Sequence, residues 1–191
     1  MISRGTSAGI TLLPIKTLSY ENRTVYIDGD IDAECAGEFI RQLLELNRND
    51  AVAPIKVLIM SNGGSIIHGL AMYDAICTSL APIETFCIGT AYSMAAILFV
   101  AGKKRQILEH SKLMLHEPLI ESGFSGRASS IKSMSDSLQN TKEQLNRILC
   151  KHTGRTVEEM NKVINYDHYF SAKEAIEFGL ADEIVGMDRI L

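Results

Sequence analysis

Two kinds of apolar segment alternate along this chain, and that alternation constrains its fold more than any other feature. Short runs rich in β-branched residues are typical of buried strands, whereas the segments between them have the apolar spacing of helices. Strands that alternate with helices predict a largely parallel sheet with helices on its faces, which is an α/β fold. The strand-like runs cover residues 24–28, 54–60, 83–89, 107–109 and 112–116, and the helix-like segments cover 32–46, 65–80 and 93–102.

The first helix-like segment carries the clearest local signals. Asp32 is placed to cap it, after Gly29 has closed the preceding strand. Phe39, Leu43 and Leu46 then share one face, which is expected to pack on the sheet.

A long helix is predicted over residues 129–152, and Gly154 is placed to end it. A helix of this length is expected to project from a small domain, so its apolar stripe needs a partner. The two candidates are a second copy of the chain and the chain's own sheet. The stripe consists of Ile131, Met134, Leu138, Leu145 and Ile148.

Capping boxes mark two further helices near the end of the chain. Thr156 with Glu159 opens the first, and Ser171 with Glu174 opens a second helix that Gly179 ends.

The remaining segments are less well defined. Residues 165–170 form a short connection between the two capped helices, and residues 180–185 are expected to form an edge strand. Residues 1–20 have no clear period, so we interpret them as an N-terminal arm of undefined order.

Composition limits the classes of function. The net charge is −4, whereas a nucleic-acid surface needs a basic patch, so no nucleic-acid partner is expected. The longest apolar run, residues 94–102, is too short to span a bilayer, and no membrane partner is expected. Four cysteines without Cys-x-x-Cys spacing are typical of free thiols, which predicts a cytoplasmic protein. The 191 residues fit one domain, 1–191.

The stretch GTAYSMAA, residues 89–96, places one hydroxyl where a strand-like run meets a helix-like run. Ser93 would lie at a helix start, where backbone N–H groups are unpaired and the dipole is positive. A serine there either caps the helix or acts as a nucleophile. For a nucleophile, the N–H of Met94 would stabilise an oxyanion, and the turn at Gly63 and Gly64 could supply a second donor. A Gly-Gly pair after a strand is more often only a turn.

A serine nucleophile needs a base, and His116 is the histidine in the best position. It stands at the carboxyl end of a strand-like run, where open α/β sheets carry their sites. An acid should orient the imidazole. Asp167 is one of many acids that could do so, and spacing alone does not select it. The other histidines resemble surface or packing residues, and they are His68, His110, His152 and His168.

Several blocks of the sequence, taken together, resemble the ClpP family, the proteolytic subunit of the Clp protease. GTAYSMAA resembles the family's G-x-A-x-S-M-(G/A) block, SNGG its S-P-G-G turn, and MLHEPL its M-(I/L)-H-Q-P block. HTGRTVEEM followed by DHYFSAKEAIEFGLADEI resembles the tail of the family. The blocks follow one another in the family's order from about Val25 to Ile184.

The resemblance implies roles for individual residues. Ser93 would be the nucleophile, His116 its general base and Asp167 the group that orients the histidine. The backbone N–H groups of Gly64 and Met94 would form the oxyanion hole.

The resemblance also implies where a peptide substrate binds. An extended peptide would add a strand beside the Gly64 segment. Its contacts are expected from Gly63, Ser65, Ile66 and Leu119.

At the level of assembly, the resemblance implies a ClpP/crotonase-like ββα-repeat core with a projecting helical handle, about residues 117–153. Handles interdigitate between two rings, so the expected partners are copies of the chain in a heptameric ring, stacked as a tetradecamer. An ATP-driven unfoldase usually feeds such a chamber, and neither a metal nor an organic cofactor is implied. The implied function is a serine endopeptidase that hydrolyses unfolded proteins and peptides.

Departures from the family pattern fall outside the triad. Asn165 and Tyr166 replace an acid–arginine pair that couples rings. Glu117 follows His116 where the family tends to have glutamine. Its carboxylate could approach His116, point to solvent or pair between subunits.

Further departures concern docking, and together they are typical of a divergent paralogue. Lys56 and Leu58 stand where many members carry tyrosines of the unfoldase-docking surface. The N-terminal arm lacks the S-x-D-I-Y-S-R-L-L helix. The connection after Glu117 is about two residues longer, and it should form a handle strand beside bound peptide.

Two other functions remain open. The chain could be a weakly active or structural subunit of a mixed ring with a second ClpP-type subunit. The least favoured alternative is a crotonase-type acyl-thioester enzyme, which shares the fold and a two-amide oxyanion hole but needs no serine triad.

Overall fold

Strands and helices alternate along most of the chain in the computed structural model, which describes residues 2–6, 9–119 and 126–190. The strands are β1 (Ile2–Thr6), β2 (Gly9–Leu13), β3 (Thr24–Ile31), β4 (Ile55–Gly64), β5 (Ile83–Tyr92), β6 (Lys104–Leu108), β7 (Lys112–Leu115), β8 (His168–Ser171) and β9 (Glu183–Val185). The helices are α1 (Ile15–Glu21), α2 (Ala33–Asn49), α3 (Ile66–Cys77), α4 (Met94–Val100), α5 (Ala128–Thr153), α6 (Val157–Ile164) and α7 (Ala172–Phe178). Among these elements, no helix combines the length and apolar composition needed to cross a bilayer.

Within the described residues, seven strands form the main sheet, and most of their pairings are parallel. The order β3-β4-β5-β6-β9 is parallel throughout, with β9 at one edge, as predicted. The sheet divides at β5, whose first half pairs with β6 and whose second half pairs with β7. β8 pairs antiparallel with β7. The predicted α/β class is therefore confirmed.

Three strands run further than the sequence predicts. β3 continues through Gly29, β4 through Gly64 and β5 through Tyr92. The register shifts between Asp28 and Asp30, and pairing then resumes. Gly29, whose φ is 78°, therefore marks a bulge inside β3 rather than the end of the strand.

The first predicted helix lies where its cap indicates. Asp32 accepts a hydrogen bond from the N–H of Cys35 at 2.8 Å, and α2 starts directly after it. Its predicted apolar face is buried, with Phe39, Leu43 and Leu46 almost inaccessible. α4 is buried on all sides, which explains its uniformly apolar sequence.

The long helix α5 divides into two parts. Its second half packs against α4 and α6, where Leu145 is buried and Ile148 is half-buried. In its first half, Ile131 and Met134 are exposed. Only the second half of the predicted stripe thus packs against the rest of the chain. Gly154 ends the helix with φ of 71°, as predicted.

Both predicted capping boxes are present. The Thr156 hydroxyl accepts from the N–H of Glu159, and the Glu159 carboxylate accepts from the N–H of Thr156. Ser171 and Glu174 make the same reciprocal pair at the start of α7.

The N-terminal arm, whose order the sequence left undefined, contains regular structure within its described residues. β1 and β2 form an antiparallel hairpin, and α1 follows Pro14. Arg23 then turns the chain with φ of 55°, and its guanidinium donates to backbone carbonyls including those of Leu46 and Asp50. These bonds attach the end of the arm to α2.

The C-terminal segment packs on the sheet in a small apolar cluster that is separate from the main core. A short 3-10 helix, Met187–Arg189, leads to Ile190, which packs on Leu58 and Phe86. Lys56 donates to the carbonyl of Ile190 at 2.7 Å. Lys56 and Leu58, which stand where many family members carry docking tyrosines, therefore contact the C-terminal segment of the same chain.

Candidate active site

Ser93 occupies the bend between β5 and α4 in a strained conformation. Its φ of 52° and ψ of −121° make it one of two described non-glycine residues with positive φ. Such a conformation typically costs about 1–3 kcal/mol and is concentrated at functional sites. The Ser93 N–H donates to the carbonyl of Met114 at 2.8 Å, but the hydroxyl makes no capping bond. The capping alternative for this serine is therefore not what the structure contains.

His116 lies beside that hydroxyl because β7 pairs with the second half of β5. Tyr92 is opposite Met114 in this pairing, so the residues after each strand end are neighbours. The His116 Nε2 atom is 2.7 Å from Ser93 Oγ, which is a short hydrogen bond. The imidazole is mostly buried, with 18% of its side chain exposed.

Asp167 contacts the other nitrogen of the same ring. β8 runs antiparallel to β7 with His168 opposite Leu115, so Asp167 comes opposite His116. Its Oδ1 atom is 3.3 Å from His116 Nδ1, and 56% of its side chain is exposed. The structure therefore brings together three side chains that lie far apart in the sequence.

The Gly63–Gly64 turn approaches the same bend. A Cβ atom added at Gly63 would lie 2.9 Å from Ser93 Cβ and 3.1 Å from the Met94 nitrogen. The φ of Gly64 is 148°, and a Cβ there would lie 2.5 Å from the Ile31 carbonyl oxygen. Since the first N–H groups of a helix have no intrahelical acceptor, the Met94 amide is available beside this turn. The end of β4 and the start of α4 thus meet at Ser93.

An open cleft runs past these groups. Of the four residues expected to contact a peptide, Ser65, Ile66 and Leu119 line this cleft, together with Gly64. Gly63 lies against the bend instead. The opposite wall comes from α5 and was not predicted; it consists of Met134, Ser137, Leu138 and Thr141. The three-to-four-residue spacing of this wall was visible in the sequence, but only the packing of α5 shows where it faces.

A smaller, mostly apolar cavity opens beside Ser93 and His116. Asn146 is its buried polar residue, 3% exposed, and it donates to Asn161 at 2.7 Å. The rest of the lining is apolar apart from Ser93 and His116, and it consists of Ile66, Met94, Ile97, Leu115, Pro118, Leu145, Leu149 and Ile164. Such a lining suits an apolar side chain.

Two of the other histidines make hydrogen-bond or packing contacts, which account for their positions without a catalytic role. The Nε2 atom of His152 is 2.8 Å from the Tyr73 hydroxyl, and the ring of His168 packs on Phe170. Among the described residues, no cluster of three or more metal-ligating side chains could hold an ion.

Glu117 makes a contact that the sequence did not predict. Its carboxylate accepts a hydrogen bond from Lys142 of α5 at 2.6 Å. Within the chain, the Glu117 carboxylate is therefore paired with α5 rather than free in solvent. Lys142 was not singled out because nothing in the spacing of residues 117 and 142 indicates contact.

The predicted handle strand falls partly on residues 120–125, which lie outside the described residues.

The fold and the site define a class. It is an α/β chain in which a serine and a histidine, each directly after a strand, are hydrogen-bonded, and an aspartate contacts the other nitrogen of the histidine. A family model then narrows the class. The model for Clp protease matches residues 10–188 of the 191 residues. The chain therefore belongs to the Clp protease family, as the resemblance indicated. Membership implies a peptidase.

Proposed function

We propose that this chain is a serine endopeptidase subunit that cleaves unfolded proteins and peptides. The observation that carries the proposal is the 2.7 Å hydrogen bond between Ser93 Oγ and His116 Nε2. It occurs at a strained bend where the serine hydroxyl is not used for capping.

In the proposed reaction, His116 Nε2 takes the Ser93 proton as Oγ attacks the peptide carbonyl. The resulting oxyanion would be stabilised by the N–H groups of Gly64 and Met94, each worth about 3 kcal/mol of the barrier. His116 then gives the proton to the leaving amine, and an acyl-serine remains. A water molecule, deprotonated by the same imidazole, hydrolyses this ester and restores the hydroxyl.

Asp167 would hold the imidazole in the tautomer that presents Nε2 to Ser93. Its 3.3 Å contact with Nδ1 supports that role. This contact is longer than the usual 2.7–2.9 Å of a charge-assisted hydrogen bond. It is also longer than the 2.7 Å contact between His116 and Ser93.

The cleft supports binding of an extended peptide between the Gly64 segment and α5. Ser65, Ile66 and Leu119 would contact the backbone and side chains on one side. The apolar cavity beside Ser93 would take the side chain that precedes the cleaved bond.

The experiment that tests this proposal is acylation by a fluorophosphonate probe, followed by peptide mapping. We expect one labelled site, Ser93, and loss of both labelling and peptide turnover in Ser93→Ala. Ser130→Ala on exposed α5 is the matched control and should label normally. An assembled wild-type protein that neither labels nor cleaves peptides would contradict the proposal.

For the assembly, we propose a heptameric ring, stacked as a tetradecamer, that is fed by an ATP-driven unfoldase. The exposed Ile131 and Met134 on the first half of α5 support an interface there. Native mass spectrometry would count the copies. The cytoplasmic location and the single domain over residues 1–191 stay predictions.

A second candidate is a weakly active subunit of a mixed ring that contains a second ClpP-type subunit. The loose, half-exposed Asp167 favours it, because a partner could be needed to align this carboxylate. Co-expression with a typical subunit separates the two. Full activity of this chain alone would remove the reason for the second candidate.

A further inference from the structure

One side chain of α5 connects the two segments that carry His116 and Asp167. The Lys142 ammonium donates to the Glu117 carboxylate at 2.6 Å and lies 3.4 Å from the Asn165 side-chain oxygen. Glu117 directly follows the histidine, and Asn165 precedes the aspartate by two residues. The Lys142 side chain is only 18% exposed, so it is held between these partners rather than extended into solvent.

The same two segments are already joined by their backbones. The Glu117 N–H donates to the Ile164 carbonyl at 2.8 Å, at the end of α6. On the other side of the histidine, Leu115 pairs with His168 across β7 and β8. These two connections bracket the pair formed by His116 and Asp167. Lys142 adds a third connection, which joins both segments to α5.

Of the two contacts that His116 makes in the site, the one with Asp167 is the longer and the more exposed to solvent. Asp167 is more than half exposed, and its contact with the ring is 3.3 Å long. It belongs to the short connection between α6 and β8, so its position depends on the backbone on either side. A shift of about 1 Å in such a group can cost a factor of roughly 100 in rate.

We propose that Lys142 is a positioning residue that keeps the His116 and Asp167 segments in register with each other and with α5. The proposal rests on the proposed peptidase function. It explains why Glu117 and Asn165, both departures from the family pattern, lie in one hydrogen-bonded cluster. It also makes the alignment of the site depend on where α5 lies.

If Lys142 had a purely structural role, its removal would lower stability more than turnover. Glu117 is about half exposed, and ion pairs in such positions contribute little to stability. Removing the bridge should therefore leave folding almost unchanged while it lowers turnover. Substrate binding should also be preserved, because Lys142 does not line the cleft.

The experiment compares Lys142→Met, Lys142→Arg and Glu117→Gln with wild type. The matched control is Arg147→Met, which removes a cation from the same helix where its side chain is 69% exposed and its ion pair is 3.9 Å long. Each protein is assayed for kcat and KM on a fluorogenic peptide, for fluorophosphonate labelling, for melting temperature and for native mass. The double variant of Lys142→Met with Glu117→Gln tests whether both residues act through one bridge.

We expect kcat of Lys142→Met to fall by about tenfold to a hundredfold, with KM changed by less than about twofold. Lys142→Arg should recover most of the lost turnover, and Arg147→Met should behave as wild type. The double variant should lose no more than the Lys142→Met protein. Native mass and melting temperature should match wild type in every case.

Several outcomes would overturn the positioning role. These are unchanged kcat in Lys142→Met, a loss equal to that of Arg147→Met, no recovery in Lys142→Arg, and a loss that follows a lower native mass. A wild-type protein that neither labels nor cleaves would instead overturn the proposed function, and the positioning role with it. Labelled, active wild type beside a fully active Lys142→Met protein would overturn the positioning role alone.

Discussion

Substituting alanine for Gly63 tests the close approach on which the candidate site depends. The Gly63 backbone has φ of 101°, and a Cβ added there would lie 2.8 Å from the Tyr92 carbonyl oxygen, 2.9 Å from Ser93 Cβ and 3.1 Å from the Met94 nitrogen. Two of these three atoms are backbone, so they cannot rotate away. Either the end of β4 or the bend at Ser93 must move by several tenths of an ångström.

The expected cost has two parts. Positive φ costs an L-residue about 1–2 kcal/mol, and forcing a methyl group into a packed site costs about 1–3 kcal/mol more. We therefore expect Gly63→Ala to lower stability by about 3 kcal/mol. For a domain of this size, that corresponds to a fall in melting temperature of roughly 6–12 °C. The displaced bend should also reduce the rate of Ser93 acylation by about tenfold.

Gly154→Ala separates the two parts of this cost. Gly154 also has positive φ, at 71°, but a Cβ there would have no atom within 4 Å. It should therefore show the backbone cost alone, with normal acylation. Scanning calorimetry and fluorophosphonate labelling at equal protein concentration measure both effects. Equal stability and equal labelling rates in the two variants would refute the close approach of Gly63 to Ser93.

Two further predictions concern histidines. Asp167→Asn should lower kcat by up to about 10⁴-fold with KM little changed, because His116 is then no longer held in the tautomer that presents Nε2 to Ser93. Wild-type turnover of this variant in steady-state kinetics would exclude an orienting role. Burial, followed by two nearby cationic side chains, lowers the pKa of His152, whose ring is 2.8 Å from the Tyr73 hydroxyl. The unfolded chain then binds a proton before the folded one, so stability is full above the ordinary histidine pKa and is lost as the pH falls towards the folded pKa. Melting temperatures between pH 7 and 5 should show this loss in wild type but less of it in His152→Gln, and identical slopes would contradict the assignment.

Much of the local structure was predictable because its causes are local. Asp32 caps α2, and the reciprocal pairs at the starts of α6 and α7 form where the sequence indicates. The strands that were predicted too short, β3, β4 and β5, depend on pairing with distant strands. β5, for example, continues to Tyr92 because β7 pairs with its second half, which the spacing of residues 83–92 does not reveal.

The candidate site divides in the same way. Ser93 and His116 could be proposed from their places at the ends of apolar runs, because parallel strands bring such ends to one edge of the sheet. Asp167 could not be selected from the residues alone. It enters the site because β8 returns antiparallel to β7, and only the resemblance to a family pointed to it beforehand.

The sequence by itself determined the α/β class, the starts of α2, α6 and α7, and the bend at Ser93, because periodicity, capping and glycine act over a few residues. The tertiary structure alone decided that Lys142 reaches Glu117 and that one face of α5 forms a wall of the cleft. These contacts join residues about 25 to 80 positions apart, and they exist only because α5 packs against α4 and α6. No pattern within one segment carries that information, since the energy of packing depends on both surfaces at once.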